Sequence, residues 1–171
     1  MAAFNVNAAT ISGSIDMNNF GFGSGVSNDG STLTFSPNAP SSNFAITNAS
    51  GNFASFITTS EFGVIQDITY NPFAAPTPNF FAFTSTNSGT NVSVVFDALS
   101  ASFTNNNGLY DIRVYGTLSV TGYDPTPGTW TYSDQGGSSW SATAVPEPSV
   151  IALLGLGMLG LGIARRKARR S

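Results

Sequence analysis

The stretch that follows Asn107-Gly108 constrains the fold of this chain more than any other. Asn-Gly favours a tight hairpin turn, because both residues readily adopt the positive φ that such a turn requires. After it, apolar and polar residues alternate with a period of two, the period of a strand with one buried and one exposed face. The predicted buried face carries Tyr110, Ile112, Val114, Leu118 and Val120. The sequence therefore predicts a long antiparallel hairpin.

Shorter alternations of the same kind recur between turn-forming Gly, Pro, Asn, Asp and Ser residues. Further strands are predicted at residues 9–17, 31–36, 44–47, 52–58, 62–70, 79–85 and 91–97, at Leu99, Ala101 and Phe103, which continue the alternation, and around Trp130 and Trp140. About ten short strands without an amphipathic helix predict a mainly β fold, with an antiparallel β-sandwich or jelly-roll body. A β-helix is the alternative, although the strand spacing has no regular period.

The charges are distributed unevenly along the chain. Six Lys and Arg residues face nine Asp and Glu residues, which gives a net charge of −3. Arg113 is the only cation before residue 165, whereas all nine carboxylates precede that point. Binding to a phosphate backbone needs cations that release its counterions. The acidic body therefore excludes nucleic acid as a partner.

The body lacks the side chains that most catalytic sites require. Histidine and cysteine are absent, and the only lysine is Lys167. This excludes Ser-His-Asp triads, Cys-His pairs, Ser-Lys dyads and zinc sites built on His or Cys. A pair of carboxylates, as in glycosidases, remains available, with Asp97 and Asp111 as candidates. Each is more readily explained as a solvated strand or turn residue, so we expect no enzymatic activity and no cofactor.

Two turn-like segments, residues 16–19 and 28–31, carry Asn and Asp oxygens of the kind that bind calcium. Neither segment has the ligand spacing of a calcium-binding EF-hand or repeat-toxin loop. Asn and Asp are also favoured in turns, because their side chains accept hydrogen bonds from nearby backbone amides. The sequence therefore predicts turns at these positions and no metal site.

Four aromatic residues of the body, Tyr115, Tyr123, Trp130 and Trp140, are candidates for stacking on sugar rings. Such a role requires that their rings be exposed on one face of a sheet. Aromatic residues of β-sandwiches more often lie in the core, where each buries a large apolar surface. Carbohydrate binding is therefore an alternative function, and the core is the expected location of most of these rings.

The C-terminal stretch has three parts of different chemistry. Val145, Pro146, Glu147 and Pro148 come first, and each proline favours an extended backbone at the residue before it. The uncharged run from Val150 to Ala164 follows, and as a helix it would be about 22 Å long, against about 30 Å for a hydrocarbon core. The cations that come next are Arg165, Arg166, Lys167, Arg169 and Arg170. This order predicts one short transmembrane helix with its basic end in the cytoplasm.

In order and spacing, these three parts resemble the PEP-CTERM sorting signal of Gram-negative and cyanobacterial surface proteins. The residues that match are Val145 to Pro148, Leu153 to Gly157 and Ala164 to Lys167. The resemblance implies processing by an exosortase, a membrane-embedded enzyme similar to a transpeptidase, with Pro146-Glu147-Pro148 as its recognition element. It also implies association with exopolysaccharide production and delivery to the cell surface or matrix.

The predicted organisation has four parts: an exported β-rich body over residues 1–143, a Pro-Glu-Pro linker over 144–149, a transmembrane helix over 150–164 and a basic cytoplasmic tail over 165–171. Proteins of the resembled family start with a secretory signal peptide. Residues 1–7 have neither a basic nor an apolar region, so we expect such a signal to be missing from this sequence.

The function expected from these features is that of an exported structural protein. The body would lie outside the cytoplasm while the C-terminus is held in the inner membrane, and would then reach the cell surface or the extracellular matrix after processing. A carbohydrate-binding module or adhesin is the alternative, and a secreted glycosidase is the third possibility.

Overall fold

The computed structural model describes residues 9–18, 25–58, 60–86, 90–133 and 139–144. Across these ranges the chain is mainly β, as predicted, with eleven strands and one short 3-10 helix, η1. In chain order they are β1 (Gly13–Asn18), β2 (Gly25–Asn28), β3 (Thr32–Ser36), β4 (Phe44–Ala49), η1 (Gly51–Ser55), β5 (Phe62–Ile65), β6 (Ile68–Thr69), β7 (Thr77–Ser85), β8 (Val92–Asn106), β9 (Leu109–Val120), β10 (Thr126–Ser133) and β11 (Ser139–Ala144). None of the helical structure in these ranges is long and apolar enough to span a membrane.

Eight of the strands form one closed antiparallel barrel in the order β1-β11-β10-β9-β8-β7-β5-β4. Strand β1 closes it, because Gly13 pairs with Ala144 of β11 and Ile15 pairs with Ala49 of β4. The predicted β-sandwich or jelly roll is therefore corrected to a barrel. A sandwich and a barrel impose the same alternation on each strand, so periodicity cannot distinguish them.

The remaining three strands form a small sheet in the order β2-β3-β6, which packs against the barrel through aromatic rings. Phe35 of β3 lies edge-on to Phe80 and Trp130, with ring centroids 6.4 and 6.1 Å away. Tyr70, just after β6, contacts Phe103 and Tyr110 of the β8–β9 hairpin at 5.3 and 6.4 Å. Apolar residues of the small sheet thus extend the barrel core.

The core confirms the predicted faces of the main strands. The predicted residues Ile112, Val114, Leu118 and Val120 of β9 are buried. Phe80, Phe81 and Phe83 of β7 and Leu33 and Phe35 of β3 are buried as well. The predicted Asn-Gly turn joins β8 to β9, with positive φ at both Asn107 and Gly108. Alternation and turn chemistry were therefore sufficient to predict these elements.

The predicted strand at residues 52–58 is wrong, because this segment begins with η1. Gly51 has a φ of +60°, and the backbone amides of Phe56 and Ile57 both donate to the Phe53 carbonyl oxygen, at 3.1 and 2.9 Å. These bonds turn the chain back on itself and leave Phe53 fully buried. The apolar residues whose spacing suggested a strand, Phe53 and Ile57, are instead buried from a tight turn.

The predicted strand at residues 62–70 divides between the two sheets, with β5 in the barrel and β6 in the small sheet. Gln66 and Asp67 occupy the junction. The Gln66 amide donates to the Phe80 carbonyl oxygen at 2.8 Å, and the Asp67 Oδ1 atom accepts from the Phe35 amide at 2.8 Å. Each of the two residues is thus tied to a different sheet, which separates the strands.

The alternation predicted to continue at Leu99 is interrupted by a β-bulge between Ala98 and Ser100. Val94, Phe96 and Ala98 are buried, but Leu99 is 54% exposed. One extra residue in a strand reverses the face on which the following side chains lie. Leu99 follows the buried Ala98 and lies on the outside of the barrel, whereas Ala101 and Phe103, after the bulge, pair with the buried Val114 and Ile112.

Candidate functional site

The strand that precedes the predicted sorting segment, β11, is paired along both of its edges. Ala144, its last residue, pairs with Gly13 of β1 on one side and with Gly128 of β10 on the other. Ala142 and Ala144 are each 4% exposed, so the inward face of the strand is part of the core. The chain therefore enters the C-terminal segment from a fixed point on the barrel.

The segment that leads into β1 is hydrogen-bonded to the residues just after β4, close to the end of β11. The Ser14 amide donates to the Ser50 Oγ atom at 3.0 Å, and the Ser50 amide donates to the Ser14 carbonyl oxygen at 2.9 Å. The Ser12 amide donates to the Asn52 Oδ1 atom at 2.8 Å. Gly13, between them, has a φ of +127°, and a Cβ there would overlap with the Ser50 carbonyl oxygen. The approach of the two backbones thus requires glycine.

The end of the barrel at which β11 finishes is covered by η1 and by the turn between β9 and β10. The Phe56 ring lies between Phe53 and Tyr123, with centroid distances of 5.9 and 6.2 Å. The Thr126 Oγ1 atom accepts from the Ile11 amide at 3.3 Å and donates to the Asp124 carbonyl oxygen at 2.9 Å. These contacts close this end of the barrel with apolar rings and backbone hydrogen bonds.

A buried hydroxyl and a carboxylate also hold this end together. Ser85 is fully buried, and its Oγ atom donates to the Glu61 Oε1 atom at 2.6 Å and also contacts the Phe56 carbonyl oxygen. The Thr58 hydroxyl donates to the same Glu61 oxygen at 3.0 Å. A nucleophilic serine must be accessible to its substrate, whereas the Ser85 side chain has no contact with solvent. We interpret this cluster as a structural clamp that single-sequence patterns gave no reason to expect.

A separate open groove of about 380 Å³ lies on the outer face of β8, β9 and β10. Its lining consists of Leu99, Ser100, Tyr115, Gly116, Pro127, Gly128 and Thr129. Tyr115 is 43% exposed and pairs with Thr129 and Ser100 on its two neighbouring strands. A Cβ at Gly116 or Gly128 would stand 2.8 or 3.1 Å from the Phe96 ring, so glycine lets that ring pack closely under the groove.

Residues 144–170 match the family model of the PEP-CTERM protein-sorting motif. The chain carries a PEP-CTERM sorting motif. The resemblance drawn from the sequence is therefore confirmed, and the matched stretch begins at Ala144, the last residue of β11. Comparison with curated proteins and with solved structures gives no match.

The predicted functional residues of the PEP-CTERM motif lie outside the described residues. They are Val145, Pro146, Glu147 and Pro148, the run Val150 to Ala164, and Arg165, Arg166, Lys167, Arg169 and Arg170. All of these residues fall within the matched stretch of 144–170. Their individual roles in recognition, membrane insertion and retention stay predictions.

The aromatic residues considered for sugar stacking do not share one environment. Trp130 is fully buried among Phe35 and Phe80, so its ring is not available for stacking on a sugar. Tyr123 is half-buried against Phe56, whereas Tyr115 is exposed on the outer face. Trp140 lies on β11, and its side chain is outside the described part of the structure. Tyr115 is thus the candidate that the structure leaves accessible.

The two carboxylates considered for a glycosidase pair are not brought together. Asp97 pairs across the hairpin with Thr117, whereas Asp111 pairs with Thr104. Asp111 and Thr117 are six residues apart on β9, which corresponds to about 20 Å along a strand. Glycosidase carboxylates stand only about 5 to 9.5 Å apart. Asp97 also accepts a hydrogen bond from the Asn79 amide at 2.7 Å, so its role here is to hold the backbone.

The turn predicted at 16–19 is wrong for its described residues, because Asp16 and Asn18 lie on β1, where the Asp16 Oδ2 atom accepts from the Asn48 side-chain amide at 3.1 Å. In the other segment considered for calcium, 28–31, the side-chain oxygens serve as hydrogen-bond acceptors in a turn. The Asn28 Oδ1 atom accepts from the Gly30 amide at 3.0 Å and from the Tyr70 hydroxyl at 2.7 Å. The Asp29 Oδ1 atom accepts from the amides of Thr32 and Ser31 at 2.6 and 2.8 Å. Among the described residues, no three His, Cys, Asp or Glu side chains come together as a metal site.

We expect the turn at Asp29 to weaken in acid. The amides of Thr32 and Ser31 stabilise the ionised carboxylate, which holds the pKa of Asp29 below its ordinary value of 3.8. A lowered pKa in the folded state means that the stabilisation is present above pH 3.8 and is lost as the pH falls through the folded-state value. An NMR titration of the Asp29 carboxyl carbon measures this pKa directly.

Asp29→Asn is the matched control for this titration, because it keeps an acceptor oxygen but cannot ionise. In this variant the amide signals of Ser31 and Thr32 should no longer respond to pH in this range. A measured Asp29 pKa at or above 3.8 would contradict the assigned hydrogen bonds.

Proposed function

We propose that this protein is a non-enzymatic structural component of the bacterial cell surface or extracellular matrix, held in the inner membrane by its C-terminus until an exosortase processes it. The observation that carries the proposal is the PEP-CTERM motif over residues 144–170, which supports sorting by exosortase to the cell surface. The motif follows directly on β11, so processing near Pro146-Glu147-Pro148 would release an intact barrel.

The composition of the C-terminal stretch suits a temporary hold on the membrane. The run Val150 to Ala164 is shorter than a typical spanning helix, and four glycines lower both its hydrophobicity and its helix propensity. The five cations after it favour a cytoplasmic tail, which places the barrel on the opposite side of the membrane. In our proposal the processing enzyme therefore meets the recognition residues just outside the membrane.

The sorting proposal is tested by expressing the full chain behind a Sec signal in a host with and without exosortase. With the enzyme, we expect a shortened product at the cell surface or in the medium. Without it, we expect the full-length product in the inner membrane. The measurement is the apparent size in each membrane and extracellular fraction.

Pro146→Ala combined with Glu147→Ala should reduce processing to the level of the host without enzyme. Asp111→Asn is the matched control, because it also removes one carboxylate but lies on β9, outside the motif. A tail that stays intact in wild-type cells containing exosortase, with the protein still in the inner membrane, would refute the sorting proposal.

A second candidate function for the barrel itself is carbohydrate binding, as a module or adhesin that attaches to exopolysaccharide. The specific observation in its favour is the outer groove with the exposed Tyr115 ring. A glycosidase has weaker support, because the candidate carboxylates Asp97 and Asp111 lie about 20 Å apart along the hairpin, too far to act on one glycosidic bond.

A further inference from the structure

The groove on β8, β9 and β10 combines apolar surfaces with hydroxyl groups. Leu99, Tyr115 and Pro127 supply apolar surface, whereas Ser100 and Thr129 supply hydroxyls on the strands beside Tyr115. Small-molecule sites commonly have this make-up, with mostly apolar walls and a few polar groups that fix orientation. The groove is open, which suits a polymer that lies across a surface better than an enclosed small molecule.

The β-bulge between Ala98 and Ser100 contributes directly to this site. The extra residue shifts the pairing from Ala98↔Gly116 to Ser100↔Tyr115, so Ser100 joins Leu99 on the outer face instead of pairing with the buried Val114. β-Bulges recur where a strand must re-aim a side chain at a functional position. Here the re-aimed residue is Ser100, which is exposed and lines the groove beside Tyr115 and the 54% exposed Leu99.

The electrostatics of the barrel select a neutral ligand. Among the residues that the structure describes, none with a charged side chain lines the groove. Seven of the nine carboxylates of the chain lie in its described part, where Arg113 is the only cation. An anionic polysaccharide would therefore be repelled by the surface as a whole, whereas an uncharged one would meet no electrostatic penalty.

We propose that this groove binds a neutral polysaccharide of β-linked glucose units, with one pyranose ring stacked on Tyr115. The hydroxyls of such a unit are equatorial, so its ring faces expose C–H groups that match the Tyr115, Leu99 and Pro127 surfaces. Its equatorial hydroxyls then lie near Ser100 and Thr129. The inference rests on the surface role proposed above and deepens it, because it names the class of polymer that the barrel contacts.

Binding of cellohexaose to the purified full chain, measured by isothermal titration calorimetry, tests this inference. Removal of the stacking ring in Tyr115→Ala should weaken binding about tenfold. Tyr115→Phe should bind as the wild type does, because it keeps the ring. Phe62→Ala is the matched control, since Phe62 is also an exposed aromatic, at 56%, but does not line the groove.

Thr129→Arg is a second variant, and it tests the groove without changing Tyr115. It introduces bulk and charge into the groove from an outward position on β10 and should also weaken cellohexaose binding, by about tenfold or more. Thermal melting followed by circular dichroism verifies that each variant is folded. Alginate, an anionic polysaccharide, should not bind.

Three results would each overturn the inference: no binding of cellohexaose by the wild type, equal binding by Tyr115→Ala, or tighter binding of alginate. If the wild type binds no glucan and Tyr115→Ala changes the sedimentation coefficient, the groove is instead a contact between two copies of the chain. None of these measurements involves exosortase, so failure here leaves the sorting proposal intact, and failure of sorting leaves glucan binding intact.

Discussion

Trp130→Ala should lower the free energy of unfolding by about 3–5 kcal/mol. The Trp130 side chain is fully buried, and its ring lies 5.1 Å from the Phe80 ring and 6.1 Å from the Phe35 ring. It therefore joins the barrel wall at β10 to both β7 and the small sheet. The cavity left by alanine would be lined by these rings, which cannot collapse without moving two sheets.

Urea unfolding followed by circular dichroism measures this loss. Thr129→Ala is the matched control, because Thr129 is the neighbouring residue on β10 and lies on the outer face, where a change of this kind costs about 0.5 kcal/mol or less. Trp130→Phe keeps an aromatic ring in the core and should remain folded. It is the variant to measure if Trp130→Ala does not fold. A loss for Trp130→Ala no larger than that of the control would show that the ring is exposed, and would restore it as a candidate for sugar stacking.

The sequence was sufficient for the long hairpin and for the sorting motif, each of which is determined by one contiguous stretch. The hairpin at Asn107-Gly108 and the inward face of β9 follow from turn chemistry and alternation, and both are confirmed. The PEP-CTERM motif was recognised for the same reason, since its three parts follow one another along the chain and are confirmed as a match over residues 144–170.

Features that depend on distant segments could not be predicted in this way. Closure of the barrel joins Gly13 to Ala144, and nothing in the local pattern of either strand indicates that partner. The groove draws its lining from three strands, and the outward position of Ser100 depends on a bulge that one extra residue creates in the pairing with β9. The splitting of residues 62–70 between two sheets likewise depends on the remote contacts of Gln66 and Asp67.

Gly13→Ala should destabilise the barrel by about 3–5 kcal/mol, because it combines backbone strain with a steric overlap. The φ of +127° at Gly13 is unfavourable for any residue with a Cβ, and that Cβ would overlap with the Ser50 carbonyl oxygen. The Ser50 backbone cannot move away freely, since its amide and its Oγ atom are both hydrogen-bonded to Ser14. The strain would therefore fall on the start of β1, the strand that closes the barrel.

Gly122→Ala separates the contribution of backbone strain from that of steric overlap. Gly122 also has a positive φ, of +86°, but a Cβ there would meet nothing within 4 Å. This variant should therefore cost only the backbone term of about 1–2 kcal/mol. Equal losses in the two variants, measured by urea unfolding, would contradict the close approach of Gly13 to Ser50.

The consequence of Gly13→Ala for sorting follows from the pairing of β1 with β11. If β1 detaches, β11 becomes an edge strand with unpaired backbone groups immediately before the PEP-CTERM motif. Hydrogen exchange should then accelerate in β11 more than in β9, which keeps both of its neighbours.

In cells with exosortase, we expect less mature protein from Gly13→Ala than from Gly122→Ala. The product size should be the same, because the residues that the enzyme recognises are unchanged. A change of product size would instead mean that the barrel end helps to determine where the chain is cut.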